Sequence, residues 1–155
     1  MSSDQTPDRE ITIRDALTAD VPLLSQVDSL AAAGHAGRRA AIQRWVTTAS
    51  TRVAQTQAQV IGYCVMEYTF FDQAFVTMLM VAANVRGRGT GAHLLLDAQQ
   101  RRNTPKLFTS TNLSNQPMQR LLTRLGWQSA GIVYGLDKGD PELFFLAPAR
   151  DTQLP

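Results

Sequence analysis

The sequence predicts an α/β chain of mixed α+β type, a single domain with a mostly antiparallel sheet flanked by helices. Three observations carry that prediction. The 155 residues are 44% apolar and 18% charged, which suits one folded domain with a buried core. The runs "STRVAQTQ", "QVIGYCVMEYTFF" and "AFVTMLMVAA" succeed one another across brief turns, the pattern of an antiparallel meander. The stretch "VRGRGTG" then opens a helix that leads to another strand, and two strands joined through a helix run parallel with a right-handed crossover.

The elements follow in order. "EITIRDAL" alternates Ile11 and Ile13 along a first strand. Thr18 reads as the N-cap of a helix, with Asp20 in the first turn, Pro22 tolerated there, and an apolar stripe of Val21, Leu23, Leu24, Val27 and Leu30. "AGHAG" interrupts it, and "RRAAIQRWVTTA" forms a second helix with Ile42, Trp45 and Val46 inward. The polar "STRVAQTQ" is expected to be exposed on one side, before the two long apolar strands. The helix after the glycines carries Leu94, Leu95 and Ala98 on one face, and "KLFTSTN" is the strand after Pro105. A helix from about Gln116 to Leu125 ends at Gly126, which suits a C′ position. "WQSAGIVYGL" and "ELFFLAP" close the sheet around the turn "DKGDP". The resulting order is β-α-α-β-β-β-α-β-α-β-β. The domain is expected over residues 10–148, with 1–9 and 149–155 as flexible tails.

Composition narrows the partners. Fifteen basic against thirteen acidic residues leave a charge of +2, too small a surplus to imply nucleic acid or a membrane surface. The arginines are scattered, with no interleaved aromatics to stack on bases. Cys64 is the only cysteine, so neither an intrachain disulfide nor a thiolate metal site is expected; it reads as a small buried hydrophobe. No apolar run reaches the roughly 18 residues of a membrane span. The polar, acidic start "MSSDQTPDRE" does not read as a signal or transit peptide, so a cytoplasmic protein is expected.

The glycine stretch is where chemistry is suggested. A helix N-terminus offers unpartnered N–H groups and the positive end of the dipole, and glycines admit an anion close to the backbone. Arg86 and Arg88 could add charge-assisted contacts. The bland alternative is a turn with solvated arginines. Among phosphate cradles, a P-loop fails because GxxxxGK[ST] needs a lysine that is missing. A dinucleotide fingerprint is formally met by Gly87, Gly89 and Ala92, but the acid expected about 20 residues on is absent from Asn103 to Arg124.

The third cradle uses more of the sequence. "LMVAANVRGRGTGAHLL" resembles the acyl-CoA-binding motif of the GNAT superfamily of N-acetyltransferases: a strand ending L-x-V, then R/Q-x-x-G-x-G/A, then an amphipathic helix. Leu79 and Val81 match the strand, and Arg86, Gly89 and Gly91 match the loop. "NQPMQRLLTRLGW" is similar to the second family motif, N-x-x-A-x-x-x-Y-x-x-x-G-F, through Asn115 and Gly126, with Trp127 as the aromatic. The resemblance spans Ile11 to about Leu146. It implies acetyl-CoA as cosubstrate, no metal, a sheet splayed between strands four and five, and transfer of acetyl to a small-molecule or peptide amine. Similar proteins are commonly homodimers. The implied cofactor contacts are the backbone of Leu79, Met80 and Val81 for the pantetheine arm, and Arg86, Gly87, Arg88, Gly89, Thr90 and Gly91 for the pyrophosphate. Asn115 is implied to touch the arm or its strand.

The match departs from the family where protons are handled. The tyrosine often found four residues before the glycine of the second motif is Leu122 here, and Met118 replaces the small residue. A glutamate sometimes found on strand four is here Phe75. An alkylamine of pKa about 10.4 is only about 0.04% neutral at pH 7, so a base or a desolvated site is useful. Glu67 and Tyr134 are the leading catalytic candidates, with Tyr68, Asp72, Asp137, Asp140 and Glu142 behind them. Glu67 interrupts an apolar strand, although a solvent-facing strand residue would look the same. Tyr134 lies near the end of strand six, where it could equally be a core tyrosine. The acids of "LDKGDPE" suit either a cationic amine or an ordinary acidic turn. His35 and His93 read as surface residues, and Trp45, Phe70, Phe71, Phe144 and Phe145 as core or cleft lining.

Overall fold

A computed structural model describes residues 10–57 and 59–150. The expected tail 1–9 lies outside the described residues, as does 151–155 of the expected C-terminal tail. The seven strands are β1 (Ile11–Asp15), β2 (Ser50–Thr56), β3 (Gln59–Phe70), β4 (Gln73–Val81), β5 (Leu107–Asn112), β6 (Gln128–Val133) and β7 (Glu142–Leu146). The helices are α1 (Val21–Val27), α2 (Ser29–Ala32), α3 (Ala36–Thr48), α4 (Thr90–Arg101) and α5 (Gln116–Arg124). They build one sheet in the order β1-β2-β3-β4-β5-β7-β6. All neighbours are antiparallel except β4 and β5, which are parallel and joined through α4.

The alternation of each strand sorts side chains onto two faces. On one face Leu94, Leu95, Leu107 and Leu122 are fully buried beneath α4 and α5, with Trp127 and Phe145. On the other face α1–α3 cover β2 and β3 around Leu24, Ile42, Val53, Tyr63 and Val65. β2, expected to be half-exposed, is largely buried because β1 and β3 flank it and both faces are covered. Arg52 on β2 binds Asp97 on α4 through two hydrogen bonds of 3.0 Å, and Asp15 on β1 through one, clamping strand edge to helix.

The first helix departs from the expected single amphipathic segment. Thr18–Asp20 form a 3-10 turn in which Asp20, rather than Thr18, does the capping: its carboxylate accepts the Leu17 N–H at 2.7 Å. The helix then breaks at Asp28, whose extended backbone ends α1 and whose side chain caps α2. The break turns Leu30 outward, and Leu23 is also exposed, so Leu24 and Ala31 carry the burial instead.

Asp28 is fully buried. It accepts hydrogen bonds from the Leu30 and Ala31 N–H groups, from Arg38 Nη1 at 2.9 Å and from the Tyr63 hydroxyl at 2.6 Å. Burial alone would raise its pKa; Tyr63, Arg38 and the Ala31 amide outweigh that and hold it below the usual carboxylate range. Burial, then the bond to Asp28, pushes the Tyr63 phenol well above its ordinary value.

Candidate functional site

Pairing between β4 and β5 is limited to Ala74–Val76 against Leu107–Thr109. From Thr77 to Val81, β4 has no strand partner on the β5 side, although it still pairs with β3 on the other. Thr109 Oγ1 donates to the Val76 carbonyl at 2.9 Å and pins the last paired position. A β-bulge falls here too: Val65 pairs with Met78 but Met66 with Val76, so Thr77 is the extra residue. The bulge re-aims β4, so Ala74 and Val76 pack toward α4 before it while Met78 and Met80 pack toward α1–α3 after it.

Beyond Val81 the chain makes a 3-10 turn, Ala83–Val85, and enters the glycine stretch. Arg86 Nε donates to the Val81 carbonyl at 3.2 Å, fastening the loop to the end of β4. Gly87 has φ 80° and Gly89, the N-cap of α4, has φ 84°, left-handed values that cost other residues strain. A Cβ at either would meet no atom within 4 Å. Among the described residues no side chain caps α4, which leaves its first N–H groups open. Thr90, behind them, is buried, and its Oγ1 has no hydrogen-bond partner among the described residues. The loop has the geometry of an anion cradle with room above it, and its residues would fit a pyrophosphate.

Gly91 differs from the other two. A Cβ there would lie 3.1 Å from Leu121 Cδ2 and close to Leu79 and Val81. Its smallness lets α4 approach α5 and β4, which is a packing role. Arg88 is exposed. Asn115 is the N-cap of α5, its Oδ1 accepting from the Met118 N–H at 3.3 Å. Leu122, at the position of the family's tyrosine, is 0% exposed in the core under α5.

The catalytic candidates separate. Glu67 is half-buried on β3, pairs across to Phe75 and accepts a 2.7 Å hydrogen bond from Thr77 Oγ1, which places it beside the bulge. Tyr134 is 74% exposed beyond the end of β6, with no phenolic hydrogen bond among the described residues. Tyr68 packs toward the α4 core, its hydroxyl receiving the Asn103 N–H. Asp137 accepts from Asn112, and Asp140 from the backbone and hydroxyl of Ser114; both hold down the β6–β7 connection. Asp72 lies in the β3–β4 turn, and Glu142 opens β7. His35 and His93 are exposed. Cys64 is buried; burial, with the Asp97 charge adding, pushes its thiol up to about 12, so it is no nucleophile at neutral pH.

Sequence reasoning missed Thr77 and the Asp28–Tyr63–Arg38 cluster. A threonine among apolar residues was the only local sign of the first, and a bulge has no reliable sequence signature. A hollow of about 570 Å³ lies between α1 and the β2–β3 turn, lined by Leu23, Val27, Val60 and Ala82 among others. It sits on the β3 side of β4, away from the free edge toward β5.

The fold has solved relatives. An acetyltransferase of the GNAT family from Bacillus cereus ATCC 10987 is 28% identical, with a TM-score of 0.84 over 90% of this chain and 98% of that one. The yncA protein of Salmonella typhimurium, solved with its cofactor acetyl-CoA, is 20% identical, with a TM-score of 0.71 over 94% of this chain and 97% of its own. A Bacillus anthracis protein solved with acetyl coenzyme A gives a TM-score of 0.58 at 20% identity, over 62% of this chain and 60% of its own. No curated protein matches the chain by sequence. The family model "Acetyltransferase (GNAT) family" matches residues 24–127, across the free edge of β4, the glycine cradle and the α5 motif. The chain belongs to the GNAT family of acetyltransferases.

Proposed function

We propose that the protein is an N-acetyltransferase that moves acetyl from acetyl-CoA directly to a primary amine. The observation that carries the reading is the continuity of the free β4 edge, Thr77–Val81, with the open N-terminus of α4. Unpaired strand backbone offers N–H and C=O groups to an extended ligand arm. The open amides after Gly87 and Gly89 suit the pyrophosphate at the other end of such an arm. Leu79, Met80 and Val81 would hold the arm and Arg86 to Gly91 the pyrophosphate, with Gly91 contributing chiefly by letting α4 come close. Acetyl-CoA would supply an activated acetyl thioester; the exchange balances as thioester plus amine giving amide plus thiol.

This chain would contribute orientation and proton acceptance. Glu67, fixed by Thr77, stands on the sheet face opposite α4 and next to the last paired residues of β4 and β5. There it would accept the proton that an ammonium must lose before its nitrogen can attack. Leu122 supplies no acid, so the departing thiolate would take its proton from water. A thiol pKa of about 8.5 makes that feasible. Isothermal titration with acetyl-CoA and with CoA tests the reading, and no binding up to millimolar ligand would sink it.

Leu122's burial supports a second reading, a non-catalytic acyl-CoA-binding module. Thiol release across a broad amine panel separates the two: binding without turnover on any amine would favour the module.

A further inference from the structure

The sheet face that bears Glu67 is covered by α1–α3 over β2, β3 and the Met78–Met80 end of β4. Past that cover it carries a cluster of rings. The Phe70 ring lies 4.9 Å from Phe75, 5.2 Å from Phe108 and 5.7 Å from Phe144, and Phe75 lies 6.2 Å from Phe144. These residues come from β3, β4, β5 and β7, and Phe75 and Phe108 are direct partners one residue before β4 and β5 stop pairing. All four are partly buried, with part of each ring open to solvent. Strand alternation puts Phe75, Phe108 and Phe144 opposite the α4 core, because their neighbours Ala74, Val76, Leu107, Leu143 and Phe145 pack there, and Phe70 joins them past the register shift between Glu67 and Phe70. Phe71 stands edge-on to Phe70 at 5.0 Å and is 85% exposed, its own backbone in the left-handed region at φ 52°.

Such an apolar surface wants a partner, and its position selects one. It is continuous with the free edge of β4, where the amine must arrive if the acetyltransferase reading holds; the inference rests on that reading. Glu67 is the direct cross-strand partner of Phe75, which sets one carboxylate beside the rings. Among the other acids nearby, Asp137 and Asp140 are engaged with Asn112 and Ser114, while Glu142 opens β7 two residues before Phe144 and Asp72 follows Phe71 in the β3–β4 turn. The face therefore offers an aromatic bed with Glu67 between it and the free edge of β4, which complements an ammonium on an aromatic body. A polyamine has no ring to lay on the aromatic bed, and an amino acid would bring its own carboxylate against Glu67.

We propose that the acceptor is a small arylalkylamine, its ring on the Phe70–Phe75–Phe108–Phe144 bed and its ammonium toward Glu67. The test uses the full chain. Affinity for CoA is measured first by titration. Next, 2-phenylethylamine, n-hexylamine, spermidine and phenylalanine are compared as acceptors by thiol release, and 2-phenylethylamine binding to CoA-loaded protein is followed by saturation-transfer NMR. The expected result is that kcat/KM for 2-phenylethylamine exceeds that for spermidine and phenylalanine at least tenfold. Phe75→Ala and Phe144→Ala should raise KM for 2-phenylethylamine about tenfold with CoA affinity unchanged; Phe75→Leu and Phe144→Leu, which keep apolar bulk, guard against simple misfolding and should give intermediate losses. Intact CoA binding with equal or better use of spermidine, or with no NMR-detected binding of 2-phenylethylamine, would overturn the inference alone. A dimer that these alanine variants dissociate without changing acceptor preference would overturn it as well, in favour of a second copy on the rings. Absence of CoA binding would overturn the acetyltransferase reading and the inference together.

Discussion

The two faces of the sheet are finished differently. The α4–α5 face is sealed: Leu94, Leu95, Leu107 and Leu122 are all 0% exposed. The opposite face is sealed over β2, β3 and the Met78–Met80 end of β4, and leaves Phe70, Phe75, Phe108 and Phe144 only partly buried beside Glu67. The difference teaches where each kind of residue can act. A group on the sealed face contributes to stability and has no water or substrate to exchange protons with. A group at the open edge gives up packing and gains access. The family's usual acid position falls on the sealed face here as Leu122, whereas the bulge and Glu67 fall at the opening.

The largest effect on this contrast should come from breaking the cover of the second face. Asp28→Ala would leave Tyr63 and Arg38 without their buried partner, and should destabilise the fold by about 3–5 kcal/mol in urea unfolding. The pH dependence follows from the same group. Asp28's pKa is lower folded than unfolded, so its stabilisation is fully present above the unfolded value of about 3.9 and is lost as pH falls through the lower folded value. Wild-type stability should therefore decline below about pH 4, and Asp28→Ala should flatten that decline.

Glu67→Gln should test the open edge. Steady-state kinetics should show kcat/KM reduced about a hundredfold near neutral pH, with unfolding free energy changed by less than about 0.5 kcal/mol. Equal losses of stability and activity would mean that Glu67 is only structural. Leu122→Tyr should test the sealed face: added volume in a full core should cost about 1–3 kcal/mol and give no gain in turnover. A gain in turnover would show that α5 reaches the reacting groups after all.

The glycines should give modest effects and the cleanest sorting. Gly89→Ala forces a Cβ into a left-handed conformation with open space around it, and should cost about 1–2 kcal/mol while weakening CoA binding. Gly91→Ala meets Leu121 instead, so it should disturb the packing of α4 against α5 and lower stability along with CoA affinity. Calorimetric binding and thermal unfolding on the same two variants would separate cradle from spacer.

Local signals were legible wherever one segment decides its own conformation. The apolar face of α4, the C′ role of Gly126 and the meander of β2–β4 rest on periodicity and turn chemistry within a few residues. The break at Asp28 was not legible, because its carboxylate is satisfied mainly by Tyr63 and Arg38 from other elements. Without those partners, an aspartate amid "LLSQVDSLAA" reads as an ordinary polar position on a helix. The three glycines looked alike in sequence for the same reason, and only the neighbours of each Cβ distinguish Gly91 from Gly87 and Gly89.

By itself, the sequence determined the mixed fold, the place of the glycine cradle and the family it resembles, since these depend on spacing along one chain. The tertiary structure alone decided that Leu122 is sealed, that Thr77 bulges to hold Glu67, and that four phenylalanines from four strands meet on one open face. Those facts depend on strand register, which joins residues tens of positions apart, and a one-residue shift in register moves a strand's side chains to the other face.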